Sequence, residues 1–136
     1  MNTCIFCDVL AGCTEASFVY RDARTAAFMS LEQPNFYKVL VVPTAHIETL
    51  YDLNDAQAAE FFKIAVKVAR AIRHVSGCEG LNLVQSNGAA GQQDVPHLHV
   101  HLVPRWSGDA ITLSWPHEAL TRPQLDELAT DLRQAL

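Results

Sequence analysis

Residues 97–103 read His-Leu-His-Val-His-Leu-Val, so apolar side chains alternate strictly with histidines. A period of two is typical of a half-buried β-strand, in which every second side chain points to the same face. The pattern therefore predicts a strand over 97–103 that ends at Pro104. The apolar side chains of this strand enter a core, and the imidazoles of His97, His99 and His101 lie together on the opposite face.

Other apolar runs bounded by turn residues predict further strands. These strands lie over 17–21, 25–31, 37–42 and 81–86. Residues 1–12 contain Cys4-Ile5-Phe6-Cys7, which we expect to be followed by a short apolar turn or helix. Strands outnumber helices and are grouped along the chain, which favours an α+β domain with an antiparallel sheet. No repeat or linker interrupts the chain, so we expect a single domain over 1–136.

Two stretches have helical spacing. The clearer helix begins at Asn54, with Gln57 placed to complete a capping box, and Gly77 ends it. Its apolar positions are Phe61, Ala65, Val68 and Ile72. A final helix begins near Thr121, whose capping partner is Gln124. Its apolar positions are Leu125, Leu128, Ala129 and Leu132.

The composition is that of a globular protein, because 49% of the residues are hydrophobic and 18% are charged. The net charge of −5 argues against sequence-independent binding to nucleic acid or to an anionic membrane. No apolar run approaches the length of a membrane span, and the N-terminus lacks the pattern of a secretory signal. We therefore expect a cytoplasmic protein, in which cysteines stay reduced and bind metals more often than each other.

Several motifs, taken together with the three histidines, resemble those of the histidine triad family of nucleotide hydrolases and transferases. They are Cys4-Ile5-Phe6-Cys7, Val-Val-Pro-Thr-Ala-His at 41–46, Asn87-Gly88, Gln-Asp-Val-Pro-His at 93–97, and the triad ending in Pro104-Arg105. The resemblance implies a HIT-like fold with a five-stranded antiparallel sheet and two main helices, and a homodimer in which the sheet continues across a two-fold axis. It also implies cleavage at the α-phosphate of a nucleotide, with a purine as the expected base and an amine, a second nucleotide or a sugar phosphate as leaving group.

Three residues are the candidates for catalysis. Attack at phosphorus requires an uncharged nucleophile, because phosphate oxygens repel a carboxylate, and neutral imidazole meets this requirement. His99 has a histidine on either side, and the middle histidine is the nucleophile of the family, so we assign it that role. His101 would donate to the phosphate oxygens. Gln93 would stabilise charge at phosphorus or orient the leaving group or water, unless it is simply an exposed loop side chain.

A second group of residues forms a candidate metal site. Cys4 and Cys7 have a spacing that presents both thiolates to one ion, and two imidazoles complete the tetrahedron that structural zinc prefers. Some bacterial members of the family look similar and take one ligand from the first histidine of the triad. The resemblance therefore implies a structural zinc ion bound by Cys4, Cys7, His46 and His97. The alternative is a pair of cysteines without a metal.

The nucleotide site is assigned by the same resemblance. Its base pocket would be lined by Ile5, Phe6, Val9, Phe28 and Leu31, and its other binding residues would be Ser30, Lys38, Asn87, Gly88, Gln93 and His101. Lys38 replaces a histidine that is usual in the family, and either it contributes positive charge towards a polyphosphate or it is solvated. Ser30 replaces an Asp or Asn that contacts the ribose. Asp94 replaces a Ser or Thr, and we expect its carboxylate to point away from the phosphate, towards a strand-end N–H.

Three functions are compatible with these residues. The first is a nucleotidyl hydrolase or transferase that acts on a phosphoramidate or a dinucleoside polyphosphate through a nucleotidyl-histidine intermediate. The second is a metal-dependent hydrolase in which the three histidines hold a catalytic ion, which leaves Cys4 and Cys7 without a role. The third is a nucleotide-binding regulator with little turnover. The helix from Asn54 is the candidate contact of a homodimer, because the adjacent Phe61 and Phe62 cannot both face one core.

Overall fold

The structure, a computed structural model, describes residues 4–136, so residues 1–3 of the predicted N-terminal segment lie outside it. The strands are β1 (Phe18–Arg21), β2 (Thr25–Met29), β3 (Val39–Pro43), β4 (Gly80–Gln85) and β5 (Val100–Arg105). They form one antiparallel sheet in the order β1-β2-β3-β5-β4. The α-helices are α1 (Ile5–Leu10), α2 (Asp55–Ser76) and α3 (Arg122–Ala135). The predicted α+β class and five-stranded antiparallel sheet are confirmed.

Helix α2 covers one face of the sheet. Its start is capped as predicted, since the Asn54 side chain accepts from the main-chain N–H of Gln57 and the Gln57 side chain accepts from that of Asn54. Gly77 ends the helix with a φ of 65°, a left-handed conformation that glycine adopts without strain. The four predicted apolar positions of this helix are all buried, at Phe61, Ala65, Val68 and Ile72.

Strand β3 is apolar on both faces. Val39 and Val41 belong to the core beneath α2, whereas Leu40 and Val42 belong to a second apolar cluster that includes residues of α1. Because both faces are covered, the strand is an unbroken apolar run in the sequence. Leu40 is the register partner of His101 in β5, so the face covered by α1 is the one that carries the histidines.

The histidine segment is only partly a strand. Strand β5 begins at Val100 and includes Pro104, so the predicted strand over 97–103 was wrong at both ends. The main-chain N–H of Leu98 donates to the carbonyl oxygen of Ile47 at 2.7 Å, which takes this residue out of the ladder with β3. Leu98 is still buried in the core beneath α2, and the alternation of side chains is retained without a strand.

The connection between β2 and β3 is longer than predicted, because β2 ends at Met29 and β3 begins at Val39. Gln33 closes this connection. Its Nε2 atom donates to the carbonyl oxygens of Ser30 and Lys38, and its Oε1 atom accepts from the N–H of Lys38. These bonds hold Ser30 and Lys38 at the base of the loop.

Helix α3 has the predicted capping box between Thr121 and Gln124. No residue of α3 is buried. Among its predicted apolar positions, Leu125, Leu128 and Leu132 are exposed, Leu132 by 69%, and Ala129 is half-buried. The apolar side of this helix therefore does not pack on its own chain. Within residues 4–136, no helix combines the length and the apolar character needed to cross a bilayer.

Candidate functional site

The three histidines lie close together on the face covered by α1. His97 and His99 are buried, and His101 is half-buried in β5. The ring centroids of His99 and His101 are 4.9 Å apart, and the ring of Phe6 packs edge-on against His99 at 5.1 Å. The alternating side chains thus place two imidazoles next to each other, beside an aromatic side chain of the first helix.

The tautomer of His99 is determined by its own main chain. The Nδ1 atom of His99 lies 2.7 Å from the carbonyl oxygen of His97. Because a carbonyl oxygen only accepts, Nδ1 carries the proton and donates it. In the neutral form of the imidazole the lone pair then lies on Nε2, and this is the form that attacks phosphorus.

Asp94 contacts this nitrogen, contrary to the expectation that its carboxylate points away. The Oδ1 atom of Asp94 lies 3.2 Å from Nε2 of His99 and also accepts from the N–H of Val95 at 2.9 Å. Burial raises the pKa of the Asp94 carboxyl, but two main-chain N–H groups and the nearby imidazoles outweigh burial, so the net pKa lies below its usual value. The carboxylate is therefore charged at neutral pH.

His101 is neutral at neutral pH. Burial lowers its pKa to about 4, and repulsion by Lys38 and by the protonated form of His99 acts in the same direction. The carboxylate of Asp94 opposes this effect only in part. A neutral imidazole carries one N–H, which can still donate to an oxygen of a ligand.

A cleft of about 810 Å³ opens in front of the histidines. The predicted nucleotide-binding residues among its lining are Ile5, Phe6, Val9, Phe28, Ser30, Leu31, Lys38 and His101, and His99 lines it as well. Phe6 and Phe28 pack edge to face with centroids 5.6 Å apart, so one part of the cleft is apolar and aromatic. A cleft with one apolar wall and polar groups at one end is typical of a small-ligand site.

The loop residues assigned to nucleotide binding do not line this cleft. The side chain of Gln93 donates to the carbonyl oxygens of Glu48 and Val95 and accepts from the N–H of Gly88. Asn87 accepts from the N–H of Leu50 at 2.8 Å and is hydrogen-bonded to Gln85. In this arrangement the polar groups of Gln93 and Asn87 brace the loop, and their contact with a ligand stays a prediction.

Four predicted metal ligands meet at one point. The ligand atoms of Cys4, Cys7, His46 and His97 all lie within 4.8 Å of one another. The Nδ1 atom of His97 is 3.4 Å from Sγ of Cys4 and 3.6 Å from Sγ of Cys7, and Nδ1 of His46 is 3.3 Å from the latter sulfur. Ligands bound to one tetrahedral zinc ion at about 2.0–2.3 Å are separated by about 3.3–3.8 Å, so the donor set fits this metal.

The other ring nitrogen of His97 supports the same interpretation. Its Nε2 atom lies 2.8 Å from the carbonyl oxygen of Pro43, which accepts from it and leaves Nδ1 as the ligand atom. Burial lowers the pKa of His97, and nearby His46 and His99 lower it further, although the bond to Pro43 opposes this. A neutral imidazole is the form that binds a metal.

Three acidic residues of the site were not predicted. Asp94, Glu15 and Glu32 all line the cleft, where Lys38 is the single cation among the described residues. The position of Asp94 directly after Gln93 was a usable signal, since binding and catalytic residues are often found on loops. The sequence around Glu15 and Glu32 carries no pattern that separates these residues from ordinary surface carboxylates.

The chain is similar to many known proteins. Residues 12–108 match the family profile described as the HIT domain. The protein Hit of Bacillus subtilis is 38% identical over 119 residues, which are 87% of this chain and 82% of that protein. A crystal structure of a member of the HIT family from Bacillus subtilis superposes with a TM-score of 0.94 at 33% identity, and the match covers 99% of this chain and 98% of that one.

Some of the similar proteins have names that state an activity or a metal. An adenosine 5′-monophosphoramidase of Schizosaccharomyces pombe is 26% identical over 96% of both chains. An AP-4-A phosphorylase of Mycobacterium tuberculosis is 38% identical over 71% of this chain and 50% of its own length. An adenylylsulfatase of Arabidopsis thaliana is 28% identical over 96% of this chain and 66% of its own. A zinc-bound histidine triad protein of Mycobacterium smegmatis has a TM-score of 0.76 at 27% identity, covering 95% of this chain and 97% of that one.

Proposed function

The chain belongs to the HIT domain family, and on that premise we propose that it hydrolyses purine nucleotide conjugates at the α-phosphate through a nucleotidyl-histidine intermediate. The observation that carries the proposal is the bond from Nδ1 of His99 to the carbonyl oxygen of His97, which leaves the lone pair of the neutral imidazole on Nε2. Relatives named as a phosphoramidase, an adenylylsulfatase and a phosphorylase support activity on nucleotides.

The reaction has two displacements in this proposal. First, the lone pair of Nε2 of His99 forms a bond to the α-phosphorus, while the bond to the leaving group breaks and its electron pair departs with that group. Second, water attacks the same phosphorus, the bond to Nε2 breaks, and the nitrogen regains its lone pair. Over the two steps one water is consumed. Its hydroxyl group ends on phosphorus, and its proton is taken up by the leaving group. Covalent catalysis divides one difficult displacement into two easier ones.

Other residues of the cleft bind and orient the nucleotide in this proposal. His101 is neutral and donates its one N–H to a phosphate oxygen. The base lies against the aromatic wall of Phe6 and Phe28, since a purine ring stacks well on aromatic side chains. Ser30 is the candidate contact of the ribose, and Lys38 supplies the positive charge on the phosphate side.

Zinc has a structural role in this proposal. Cys4, Cys7, His46 and His97 would hold it, and the ion would supply rigidity by joining the N-terminal segment to the segment that contains His99. The four ligands saturate a tetrahedral ion and leave no open position for a water nucleophile. This donor set therefore favours a structural ion over the metal-dependent hydrolase considered from the sequence.

We also propose that the protein is a homodimer. Phe61 is 2% exposed, whereas Phe62 beside it is 37% exposed on the outer side of α2, where Val66 follows one turn later. Strand β4 is an edge of the sheet and carries exposed Leu83. An uncovered edge next to apolar side chains is a liability that pairing with a second copy removes.

A direct assay tests the proposed activity. Purified protein is incubated with adenosine and guanosine phosphoramidates, dinucleoside polyphosphates and adenylyl sulfate, and release of the nucleoside monophosphate is measured. Turnover that persists after treatment with a chelator of free metal is the expected result, and loss of turnover on chelation without loss of folding supports the metal-dependent alternative. Nucleotide binding without turnover of any substrate contradicts the proposal and supports a regulator.

A further inference from the structure

Asp94 stands at the mouth of the cleft, against the nitrogen that attacks in the proposed reaction. Its side chain is 74% exposed, whereas that of His99 is 3% exposed, and the two are 3.2 Å apart. A carboxylate is therefore the solvent-side neighbour of Nε2, on the side from which a phosphate group must approach.

The loop that carries Asp94 is braced on both sides. Gln93 is bonded through its side chain to Glu48 at 2.7 Å and to Gly88 at 2.8 Å. The carbonyl oxygen of Val95 accepts from the N–H of His97 at 2.8 Å. These bonds hold the main chain of Asp94 near the site. We therefore expect a bound substrate to move the carboxylate by rotation of its side chain rather than by movement of the loop, which would keep the carboxylate close to the reacting phosphorus.

A charge at this position acts on the leaving group. Reacting atoms approach to about 3–3.5 Å before a displacement, so a carboxylate 3.2 Å from Nε2 comes close to the α-phosphate, and the bond that breaks lies on the far side of that same phosphorus. Its repulsion of the α-phosphate is common to all nucleotide substrates and cancels when two of them are compared. The interaction of the carboxylate with the leaving group differs between substrates, because the carboxylate attracts a cationic leaving group and repels an anionic one at short range.

The rest of the cleft offsets this charge only in part. Among the described lining residues, Glu15, Glu32 and Asp94 are anionic and Lys38 is cationic. Lys38 acts on His101, whereas Asp94 contacts His99 directly. The attacking nitrogen therefore has a carboxylate as its immediate charged neighbour.

We propose that Asp94 is a specificity-determining residue that selects substrates by the charge of the leaving group. The preferred substrates are nucleoside phosphoramidates whose leaving amine carries a second, protonated amino group, and conjugates with further phosphates react more slowly. This inference rests on the proposed function.

Three adenosine phosphoramidates test the inference. Their leaving amines have the same chain length and end in an ammonium, a methyl or a carboxylate group, so they differ in charge and hardly in size. The wild-type protein is expected to have the highest kcat/KM for the ammonium compound and the lowest for the carboxylate compound. The ratio of these two values, called the span below, should be at least ten. Asp94→Asn keeps the size of the side chain and an acceptor for Val95, and it is expected to reduce the span to less than threefold. Asp131→Asn, a matched change on exposed α3, is expected to retain the full span.

Salt gives a second test that needs no variant. Raising the ionic strength from about 0.01 M to about 1 M shortens the Debye length from about 30 Å to about 3 Å, and should compress the wild-type span. Equal rates for the three compounds, or an undiminished span in Asp94→Asn, overturns the role of Asp94 and leaves the proposed function standing, because the methyl compound is still turned over. Absence of turnover for all three compounds in the wild-type protein overturns both.

Discussion

The Nδ1 atom of His99 lies 2.7 Å from the carbonyl oxygen of His97, whose own imidazole belongs to the Cys/His cluster. One residue therefore contributes its side chain to the candidate metal site and its main chain to the orientation of the candidate nucleophile. A disturbance of the cluster is expected to reach the active site through this hydrogen bond and through the ring of Phe6, which packs against both imidazoles. The two sites are separate in chemistry and coupled in structure.

Replacing His99 by alanine should abolish turnover and largely preserve nucleotide binding. The variant lacks the attacking nitrogen, so kcat is expected to fall by at least about a thousandfold, as is usual for loss of a nucleophile. The wild-type protein, quenched during turnover, should contain a nucleotide bound through a phosphorus–nitrogen bond that is labile to acid and stable to base. More than a tenth of the wild-type rate in His99→Ala would falsify the assignment.

Replacing Cys4 by serine should lower the zinc content and the melting temperature. A serine hydroxyl is a far weaker zinc ligand than a thiolate, and a structural zinc site contributes directly to folding stability. The rate of the chemical step, measured in a single turnover, should be affected less than the melting temperature. Cys13→Ser is the matched control, since Cys13 is exposed and outside the cluster. Equal zinc content in both variants, or less than a tenth of an equivalent in the reconstituted wild-type protein, contradicts this site.

Replacing Phe62 by aspartate should dissociate the homodimer. Light scattering of the wild-type protein at micromolar concentration is expected to give twice the chain mass of 15.0 kDa. A buried charge in place of an aromatic anchor, repeated across the two-fold axis, should weaken association at least a hundredfold. Phe36→Asp, on the connection between β2 and β3, should leave the mass unchanged. A wild-type mass near one chain rules out the dimer.

Replacing Lys38 by alanine should lower kcat/KM for polyphosphate substrates more than for a phosphoramidate with a neutral amine. Lys38 lines the cleft and acts on His101, so its ammonium can reach a negatively charged leaving group. Lys38→His should shift the preference back towards the phosphoramidate. The measurement is kcat/KM for both substrate types at low and high salt. Equal effects of Lys38→Ala on both types at every ionic strength mean that Lys38 is merely solvated.

The stability of the protein should fall at acidic pH because of His101. Its pKa is about 4 in the folded protein, against 6.5 for an unperturbed histidine. Between these values the unfolded chain binds the proton more readily, so the free energy of unfolding decreases as the pH falls through this window and is unaffected by His101 above it. The decrease should be on the order of 1–2 kcal/mol once solvent screening of this half-buried group is allowed for.

Urea unfolding across this window measures the effect. His101→Asn should have a shallower dependence on pH than the wild-type protein, and His117→Asn, at an exposed position, should follow the wild-type curve. Nuclear magnetic resonance measures the pKa of His101 in the folded protein directly, and the imidazole should titrate near pH 4. Titration of this ring near 6.5 would contradict the prediction.

The sequence predicted most of the features that depend on near neighbours in the chain. The capping boxes of Asn54 and Thr121 join residues three positions apart, and both are present in the structure. The apolar positions of α2 were found from helical spacing alone. The ligands of the metal cluster were predicted from the spacing of Cys4 and Cys7 together with the resemblance to zinc-containing members of the family. Their convergence within 4.8 Å could only be seen in the folded chain.

The placement of Asp94 and Gln93 was decided by the tertiary structure. Gln93 is bonded to Glu48, 45 positions earlier in the chain, and Leu98 leaves the ladder for a bond to Ile47. Periodicity and capping depend on contacts within about one helical turn or one strand, so the sequence alone predicted the two longer helices and the presence of five strands, but not the exact ends of the strands. Hydrogen bonds between distant loops depend on how the sheet brings those loops together. For that reason only the fold could place a carboxylate beside the nitrogen of His99.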